Sequence, residues 1–245
     1  MVSRTLTKFI KSLQLKKYRK LEQLFLVEGE KSVVEVLRST FKVQQLFVTL
    51  EFQKQYQALL SANELTVVSE RELASLGSFK SNNSALAVVK MAKQVGLNVD
   101  QGFSIALDSV NDPGNLGTII RIADWYGIDK IIASKDTADL YNPKVISASK
   151  GSFTRVRVHY VDLKTYLQKL DMPIYGAFIS GESIHDVKFE ESGVIVMGNE
   201  SQGISDEVNG CISKRISIPK FGGAESLNVG VATAVICDNL KRSLT

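Results

Sequence analysis

Short apolar runs and amphipathic stretches alternate along the first part of the chain. Between Leu6 and Leu13, apolar residues recur at intervals of three and four, which predicts an amphipathic helix over residues 5–15. The runs at Leu24–Val27 and Ala85–Lys90 have the length of β-strands. Further strands are predicted at 45–50 and 65–68, and further helices at 33–37, 53–60 and 70–76. This order predicts a compact α/β module that ends near residue 90.

The second part of the chain contains apolar runs that are nearly continuous. These predict strands at 103–107, 130–133, 155–160, 174–179, 194–197 and 216–218. Helices are predicted between them, at 115–126, 143–149, 162–170, 205–210 and 228–241. Uninterrupted apolar strands that alternate with helices predict a mostly parallel sheet covered on both faces. Residues 93–102 are weakly periodic, and we predict that they link two domains, at 1–92 and 103–245.

The charge is distributed unevenly between these two parts. The whole chain has a net charge of +4, but residues 1–95 carry 15 basic and 8 acidic groups, whereas the remainder is net negative. The first twenty residues contain seven basic residues and no acidic one. Charge alone fits either a solvated helix face or a surface that neutralises phosphates. It does not separate RNA from DNA or from a membrane surface.

Other features of the sequence exclude several classes of protein. The longest apolar runs, such as Val194–Met197, are far shorter than the ~18 residues of a membrane span. Cys211 and Cys237 lie far from the two histidines, so we expect two thiols in a reducing cytoplasm and no metal site. The sequence therefore predicts a cytoplasmic protein that binds neither a membrane nor a metal.

Three predicted strands end in loops rich in glycine and polar residues. In the first, Pro113-Gly114 is predicted to form a turn and Asn115 to cap a helix, and Arg121 interrupts an otherwise apolar helix. A guanidinium at such a position needs an anion or a cluster of acceptors, although a pair with a core acid would also satisfy it. In open α/β sheets, ligands bind beyond the carboxyl ends of the strands, which makes these loops candidates for a site.

The other two loops follow the strands at 194–197 and 216–218. In one, glycines 198 and 203 flank a short turn that exposes backbone groups able to bind an adenine edge or ribose hydroxyls. It matches neither a Walker loop nor a dinucleotide fingerprint, and it could be a simple turn. In the other, Ser226 and Asn228 could cap the last helix or belong to a site.

Together the three loops resemble the three signature motifs of the SpoU (TrmH-like) RNA methyltransferases, in order and at suitable spacing. The matching residues are Asn-Leu-Gly-Thr-Ile-Ile-Arg at 115–121, Met-Gly-Asn-Glu-Ser-Gln-Gly-Ile at 197–204, Ile-Pro-Lys at 218–220 and Ser-Leu-Asn-Val at 226–229. The resemblance covers residues 103–245. Upstream, Lys16-Lys17-Tyr18-Arg19 and the segment from Phe25 to Glu30 look like the RNA-binding substrate domain that often precedes it.

The resemblance implies transfer of a methyl group from S-adenosylmethionine to a ribose 2′-hydroxyl, of ribosomal RNA rather than transfer RNA. It also implies a C-terminal α/β knot, preceded by a small α/β RNA-binding domain, and a homodimer through the catalytic domains. Family catalytic positions correspond to Asn115, Arg121, Glu200, Ser226 and Asn228, and cofactor positions to Gly198, Asn199, Ile218, Pro219 and Leu227. RNA contacts are expected from Lys16, Lys17, Arg19 and Arg121.

Arg121 matches a position often given the part of activating the 2′-hydroxyl. Because arginine stays protonated in proteins, we expect it to act as an electrostatic clamp on the hydroxyl or on the adjacent phosphate. The chain departs from the family at Gly230, where serine is common, and at Lys220 and Glu225, which add charges beside the pocket.

Two alternative functions are a knotted enzyme that methylates a base nitrogen and a non-catalytic RNA-binding protein. The Asn115 and Arg121 pair and Ser-Leu-Asn-Val argue against the first, and the intact polar positions against the second.

Overall fold

The computed structural model describes residues 2–60, 64–79, 82–93, 96 and 102–244. They form two compact units. The first unit contains residues 1–93 together with 139–154, and the second contains residues 94–138 and 155–245. The predicted linker at 93–102 falls mostly outside the described residues. The predicted α/β class is confirmed, whereas the threading of a knot stays a prediction.

The first unit is built on a four-stranded sheet. Its strands β1 (Leu24–Glu28), β2 (Val43–Val48), β3 (Leu65–Val67) and β4 (Ala85–Lys90) lie in the order β1-β4-β2-β3. The helices in this part of the chain are α1 (Arg4–Ser12), α2 (Lys16–Glu22), α3 (Glu30–Leu37), α4 (Leu50–Gln55), α5 (Gln57–Leu60) and α6 (Glu70–Leu76). The pattern did not predict α2, because charged residues occupy the positions where an apolar repeat would reveal a helix.

The rest of the chain forms a parallel sheet and the helices that connect its strands. The strands are β5 (Phe103–Leu107), β6 (Lys130–Ser134), β7 (Arg157–Val161), β8 (Ile174–Ser183), β9 (Gly193–Met197) and β10 (Lys214–Ser217). The helices are α7 (Pro113–Trp125), α8 (Pro143–Ser149), α9 (Leu163–Leu167), α10 (Asp206–Asn209) and α11 (Val229–Ser243). The six strands lie in the order β10-β8-β9-β5-β6-β7, and the paired strands are parallel, as the apolar runs predicted.

Both faces of the six-stranded sheet are buried at its centre, along β5, β6 and β9. On one face, Leu163 and Leu167 of α9 and Val208 of α10 pack against strand residues that include Ala106 and Val196. The strand residues that point the other way, such as Ile105, Leu107, Ile131, Ala133 and Ile195, are also fully buried. Burial on both faces explains why the central strands β5, β6 and β9 are mostly apolar.

Residues 139–154, which carry α8, belong to the first unit. The buried ring of Phe25 in β1 lies 4.5 Å from the ring of Tyr141 and 6.0 Å from that of Phe153, measured between centroids. Leu24 and Leu26, on the opposite face of β1, pack in a core with residues of α1 and α6. One face of the first sheet is therefore covered by a segment more than a hundred residues away in sequence.

The strand order of the parallel sheet reverses between β5 and β9. From β5 the chain continues to β6 and β7 on one side, whereas β9, β8 and β10 lie on the other side. Ligands of open α/β sheets bind at such a reversal, beyond the carboxyl ends of the strands. The three loops singled out in the sequence follow β5, β9 and β10, so parallel pairing brings them to the same edge of this sheet.

Candidate active site

The loop after β9 is a tight turn closed by its own backbone. Asn199 and Gly203 exchange two backbone hydrogen bonds of 2.9 Å, and Gly203 has a positive φ of 73°. A Cβ on Gly198 would lie 2.2 Å from the carbonyl carbon of Gly203, so only glycine fits there. The Oδ1 atom of Asn199 accepts hydrogen bonds from the N–H groups of Ser201 and Gln202 inside the turn. The turn is therefore rigid.

Two side-chain bonds join this turn to the loop after β5. The Nδ2 of Asn199 donates to the carbonyl of Ser109 over 2.7 Å. The buried carboxylate of Asp108 accepts a hydrogen bond of 2.7 Å from the N–H of Ser205. Asn199, predicted to be a cofactor residue, thus also fixes the spacing between the two loops.

Three of the predicted catalytic residues form a continuous hydrogen-bonded chain. The Nδ2 of Asn228 donates to the Oδ1 of Asn115 over 2.9 Å. The Nδ2 of Asn115 in turn donates to the Oε1 of Glu200 over 2.7 Å. We call these three residues the amide–carboxylate chain. Asn115 lies in the first turn of α7 and is 85 and 113 positions away from Glu200 and Asn228, so distant parts of the sequence meet at one place.

The loops after β9 and β10, with the end of β8, enclose a cavity of about 980 Å³. All five predicted cofactor residues line it: Gly198, Asn199, Ile218, Pro219 and Leu227. Glu200 and Ser226 also line it, whereas Asn115 and Asn228 reach it through the bond to Glu200. Its volume lies at the upper end of the ~300–1,000 Å³ that is usual for cofactor sites.

Arg121 does not join this cluster. It lies on the exposed side of α7 and has no hydrogen-bond or ion-pair partner among the described residues. Ser226 lines the cavity but likewise makes no hydrogen bond within the described part of the chain. Both polar groups are therefore available to a ligand.

The basic residues predicted to bind RNA differ in their surroundings. Lys16 and Lys17 are exposed on α2. Arg19, on the same helix, is only 2% exposed, and its guanidinium pairs with Asp139 at 2.6 Å and donates to the carbonyls of Leu13 and Gln14. The expectation that Arg19 contacts RNA is corrected: the pair inside the first unit occupies the side chain, and charge counting along the sequence could not reveal its partner.

Both cysteines are free thiols, as the sequence predicted. Cys237 is buried, and burial raises the pKa of its thiol to about 12. Over residues 2–60, 64–79, 82–93, 96 and 102–244, no group of three or more potential ligand side chains could hold a metal ion. Within the same residues, no helix is both long and apolar enough to cross a bilayer.

The cavity also includes residues that no sequence pattern had indicated. Phe178 and Ile179 line it from β8, and the guanidinium of Arg215 lies 3.7 Å above the Phe178 ring. Phe178 stands near the end of a predicted strand, which is the signal that could have identified it. Arg215 gave no signal, because its place in the wall depends on how β10 pairs with β8.

Comparison with known proteins places this geometry in a family. Residues 102–238 match the model of the SpoU rRNA Methylase family, and residues 5–87 match that of the MRM3-like substrate binding domain. The chain is 30% identical, over 94% of both lengths, to the 23S rRNA (guanosine(2553)-2'-O)-methyltransferase RlmP of Bacillus subtilis.

Solved structures agree with this match. A TrmH-family protein from Porphyromonas gingivalis is 35% identical, with a TM-score of 0.86 and 99% of each chain covered. The AdoMet-bound rRNA methyltransferase from Sinorhizobium meliloti is 25% identical, with a TM-score of 0.89 over 100% of this chain and 98% of that one. The three motif loops, the cavity and these matches together establish that the chain belongs to the SpoU rRNA methylase family.

Proposed function

We propose that this protein transfers a methyl group from S-adenosylmethionine to a ribose 2′-hydroxyl of ribosomal RNA. The observation that carries the proposal is the convergence of polar residues from three loops on a single cavity. RlmP of Bacillus subtilis, which matches along nearly the whole chain, is named for this chemistry on 23S rRNA.

The walls of the cavity fit S-adenosylmethionine. Met197, Ile218 and Leu227 supply apolar surface for an adenosine group, and the rigid turn at Gly198 exposes backbone groups to the cavity. Among the lining residues, Glu225 complements a cation, whereas Arg215 and Lys220 complement a carboxylate. When bound, this cofactor supplies an electrophilic methyl group. Gly198, Asn199, Ile218, Pro219 and Leu227 would hold it in the cavity.

The ribose hydroxyl must be held in line with that methyl group, and its negative charge must be stabilised as it develops. Arg121 has no partner in the described part of the chain, which suits it to hold an RNA phosphate or the developing oxyanion. Ser226 presents a free hydroxyl at the cavity wall for hydrogen bonding to the nucleotide.

A homodimer would explain the position of Arg121. It follows Asn115 by six residues, which corresponds to about 9 Å along α7 and about 120° around its axis. A side chain placed in this way points away from the amide–carboxylate chain of its own subunit. One turn further on, the large apolar side chain of Trp125 is 83% exposed and would be covered by a partner subunit that packs on this side of α7. We therefore propose that Arg121 serves the site of the partner subunit.

The first unit supports recognition of the RNA. Its exposed Lys16 and Lys17 can neutralise phosphates, and the match to a substrate-binding domain supports the same role. We propose residues 1–92 as the RNA-binding domain and residues 103–245 as the catalytic domain of a cytoplasmic enzyme, with residues 139–154 of the latter stretch packed in the first unit.

The decisive experiment is methylation of ribosomal and transfer RNA with labelled S-adenosylmethionine, followed by alkaline hydrolysis. We expect label in ribosomal RNA, in dinucleotides that resist alkali, because a 2′-O-methyl group blocks cleavage at the adjacent phosphate. Label in alkali-sensitive mononucleotides would instead indicate methylation of a base. Absence of cofactor binding in calorimetry would favour a non-catalytic RNA-binding protein.

A further inference from the structure

Methyl transfer to a hydroxyl releases a proton, and the proposed function leaves its acceptor unassigned. Arg121 has no acceptor capacity, and neither a serine hydroxyl nor an asparagine amide is a useful base near neutral pH. Glu200 is the carboxylate that the amide–carboxylate chain brings to the cavity. The inference below rests on the proposed function and deepens it.

The backbone of α11 fixes the orientation of the whole amide–carboxylate chain. Asn228 caps this helix, and its Oδ1 accepts hydrogen bonds from the N–H groups of Gly230 at 2.9 Å and Val231 at 3.3 Å. Because backbone N–H groups can only donate, the Nδ2 of Asn228 must face Asn115. Asn115 must then present its Oδ1 to Asn228 and its Nδ2 to Glu200, so the amide assignments follow from the backbone.

This orientation gives the two oxygens of Glu200 different roles. Oε1 accepts the hydrogen bond from Asn115 at 2.7 Å, whereas Oε2 has no partner within the described residues. If Oε2 takes a proton, Oε1 becomes a carbonyl oxygen and still accepts from Asn115. The amide–carboxylate chain therefore stays intact in both protonation states of Glu200, as an acceptor used in every catalytic cycle requires.

We propose that Oε2 of Glu200 accepts the proton of the ribose 2′-hydroxyl, and that Asn115 and Asn228 are positioning residues. The O–H bond breaks and its proton passes to Oε2. The ribose oxygen uses its electron pair to bond the methyl carbon, while the electron pair of the methyl–sulfur bond stays with sulfur. Glu200 is exposed, so it then returns the proton to bulk water.

The test is a Glu200→Gln variant in single-turnover methylation of ribosomal RNA. Glutamine keeps the shape and the acceptor for Asn115 but cannot take the proton, so we expect the rate to fall at least about 100-fold. Binding of S-adenosylhomocysteine and of RNA, measured by calorimetry and filter binding, should stay within about twofold of the wild type. The matched control is Glu207→Gln, an exposed glutamate on α10 outside the cavity, which should keep the full rate.

Three further measurements separate catalysis from binding and test the hydrogen bond. In Glu200→Ala, added formate should restore part of the rate by replacing the missing carboxylate. Asn115→Ala should lower kcat about 10-fold with little change in KM, since it only positions the acceptor. In the absence of any ligand, the side-chain amide resonance of Asn115 should shift in Glu200→Gln, which tests the hydrogen bond independently of activity.

The outcomes also separate this proposal from the proposed function. Wild-type protein that forms no 2′-O-methyl ribose would overturn the proposed function. Wild-type protein that forms it, together with a Glu200→Gln variant within about twofold of its rate, would overturn only the role of Glu200. Weakened RNA binding in Glu200→Ala without rescue by formate would assign the residue to binding and overturn the proposal as well.

Discussion

At the scale of single residues, Gly198 shows how little freedom the site has. Its Cα lies so close to the opposite side of the turn that an added Cβ would meet backbone atoms of Gly203 and Ile204 within 2.5 Å. Neither partner is a flexible side chain that could move aside. The glycine at this position is therefore a requirement of the turn, and the turn forms part of the cavity wall.

We predict that Gly198→Ala opens this turn and weakens binding of S-adenosylmethionine at least about 10-fold in calorimetry, because the displaced backbone deforms the wall. The control is Gly223→Ala, in the loop after β10, where an added Cβ meets no atom within 4 Å and φ isn't positive. That variant should bind as the wild type does. Equal affinity in both variants would mean that the turn does not contact the cofactor.

At the scale of elements, α2 presents two kinds of basic residue on one short helix. Lys16 and Lys17 point to solvent, whereas Arg19 points into the first unit and pairs with Asp139 at 2.6 Å. The pair attaches α2 to the segment that contains α8, since both belong to this unit. The same stretch of positive charge therefore has a surface role and a structural one.

We predict that replacing both Lys16 and Lys17 by alanine lowers the affinity for ribosomal RNA and reduces the salt dependence of binding. The slope of log K against log salt should fall by roughly 1.4–1.8, the effect of losing two phosphate contacts. Filter binding over a range of salt concentrations measures this, with Lys54→Ala on α4 as the control. An unchanged slope would contradict the predicted RNA surface.

The contrasting variant on the same helix is Arg19→Ala. It should lower the free energy of unfolding by about 3 kcal/mol or more, because it breaks a buried ion pair and leaves Asp139 without its partner. Its salt slope, measured at a temperature where the variant is folded, should equal that of the wild type. A reduced salt slope without loss of stability would instead indicate that Arg19 contacts RNA.

At the scale of the whole molecule, the separation of Arg121 from the amide–carboxylate chain leads to a test of a shared site. Arg121→Ala alone should lower methyl transfer by about 100-fold or more with near-normal cofactor binding, since a charge-stabilising contact is lost. If the site is shared, a mixed dimer of Arg121→Ala and Glu200→Gln subunits contains one intact site. If each subunit is self-sufficient, it contains none.

We predict that refolding the two inactive variants together restores about a quarter of the wild-type activity, since half of the dimers are mixed and each has one active site. Refolding Arg121→Ala alone, in parallel, provides the control, in which every dimer lacks an intact site and no activity should return. Failure of the mixture to regain activity, despite subunit exchange shown by native mass spectrometry, would place Arg121 in the site of its own subunit.

The sequence by itself determined the elements and the candidate loops. Short segments that alternate between apolar and polar residues, or that are apolar throughout, identify strands. Glycine and polar residues directly after a strand mark its carboxyl end, where parallel sheets bind ligands. These two signals predicted β5, β9 and β10 and the loops that follow them. The resemblance of those loops to family motifs then indicated the cofactor and the reaction. Such signals are local, so neighbouring residues are enough to reveal them.

Only the tertiary structure decided which of these residues meet. The burial of Arg19 depends on Asp139, 120 residues further on, and the direction of the Asn115 amide depends on the cap of α11. The packing of residues 139–154 in the first unit likewise depends on a ring contact with Phe25. Periodicity and charge counts carry no information about such distant partners, because hydrogen bonds and ion pairs act over a few ångströms of space, whatever the distance along the chain.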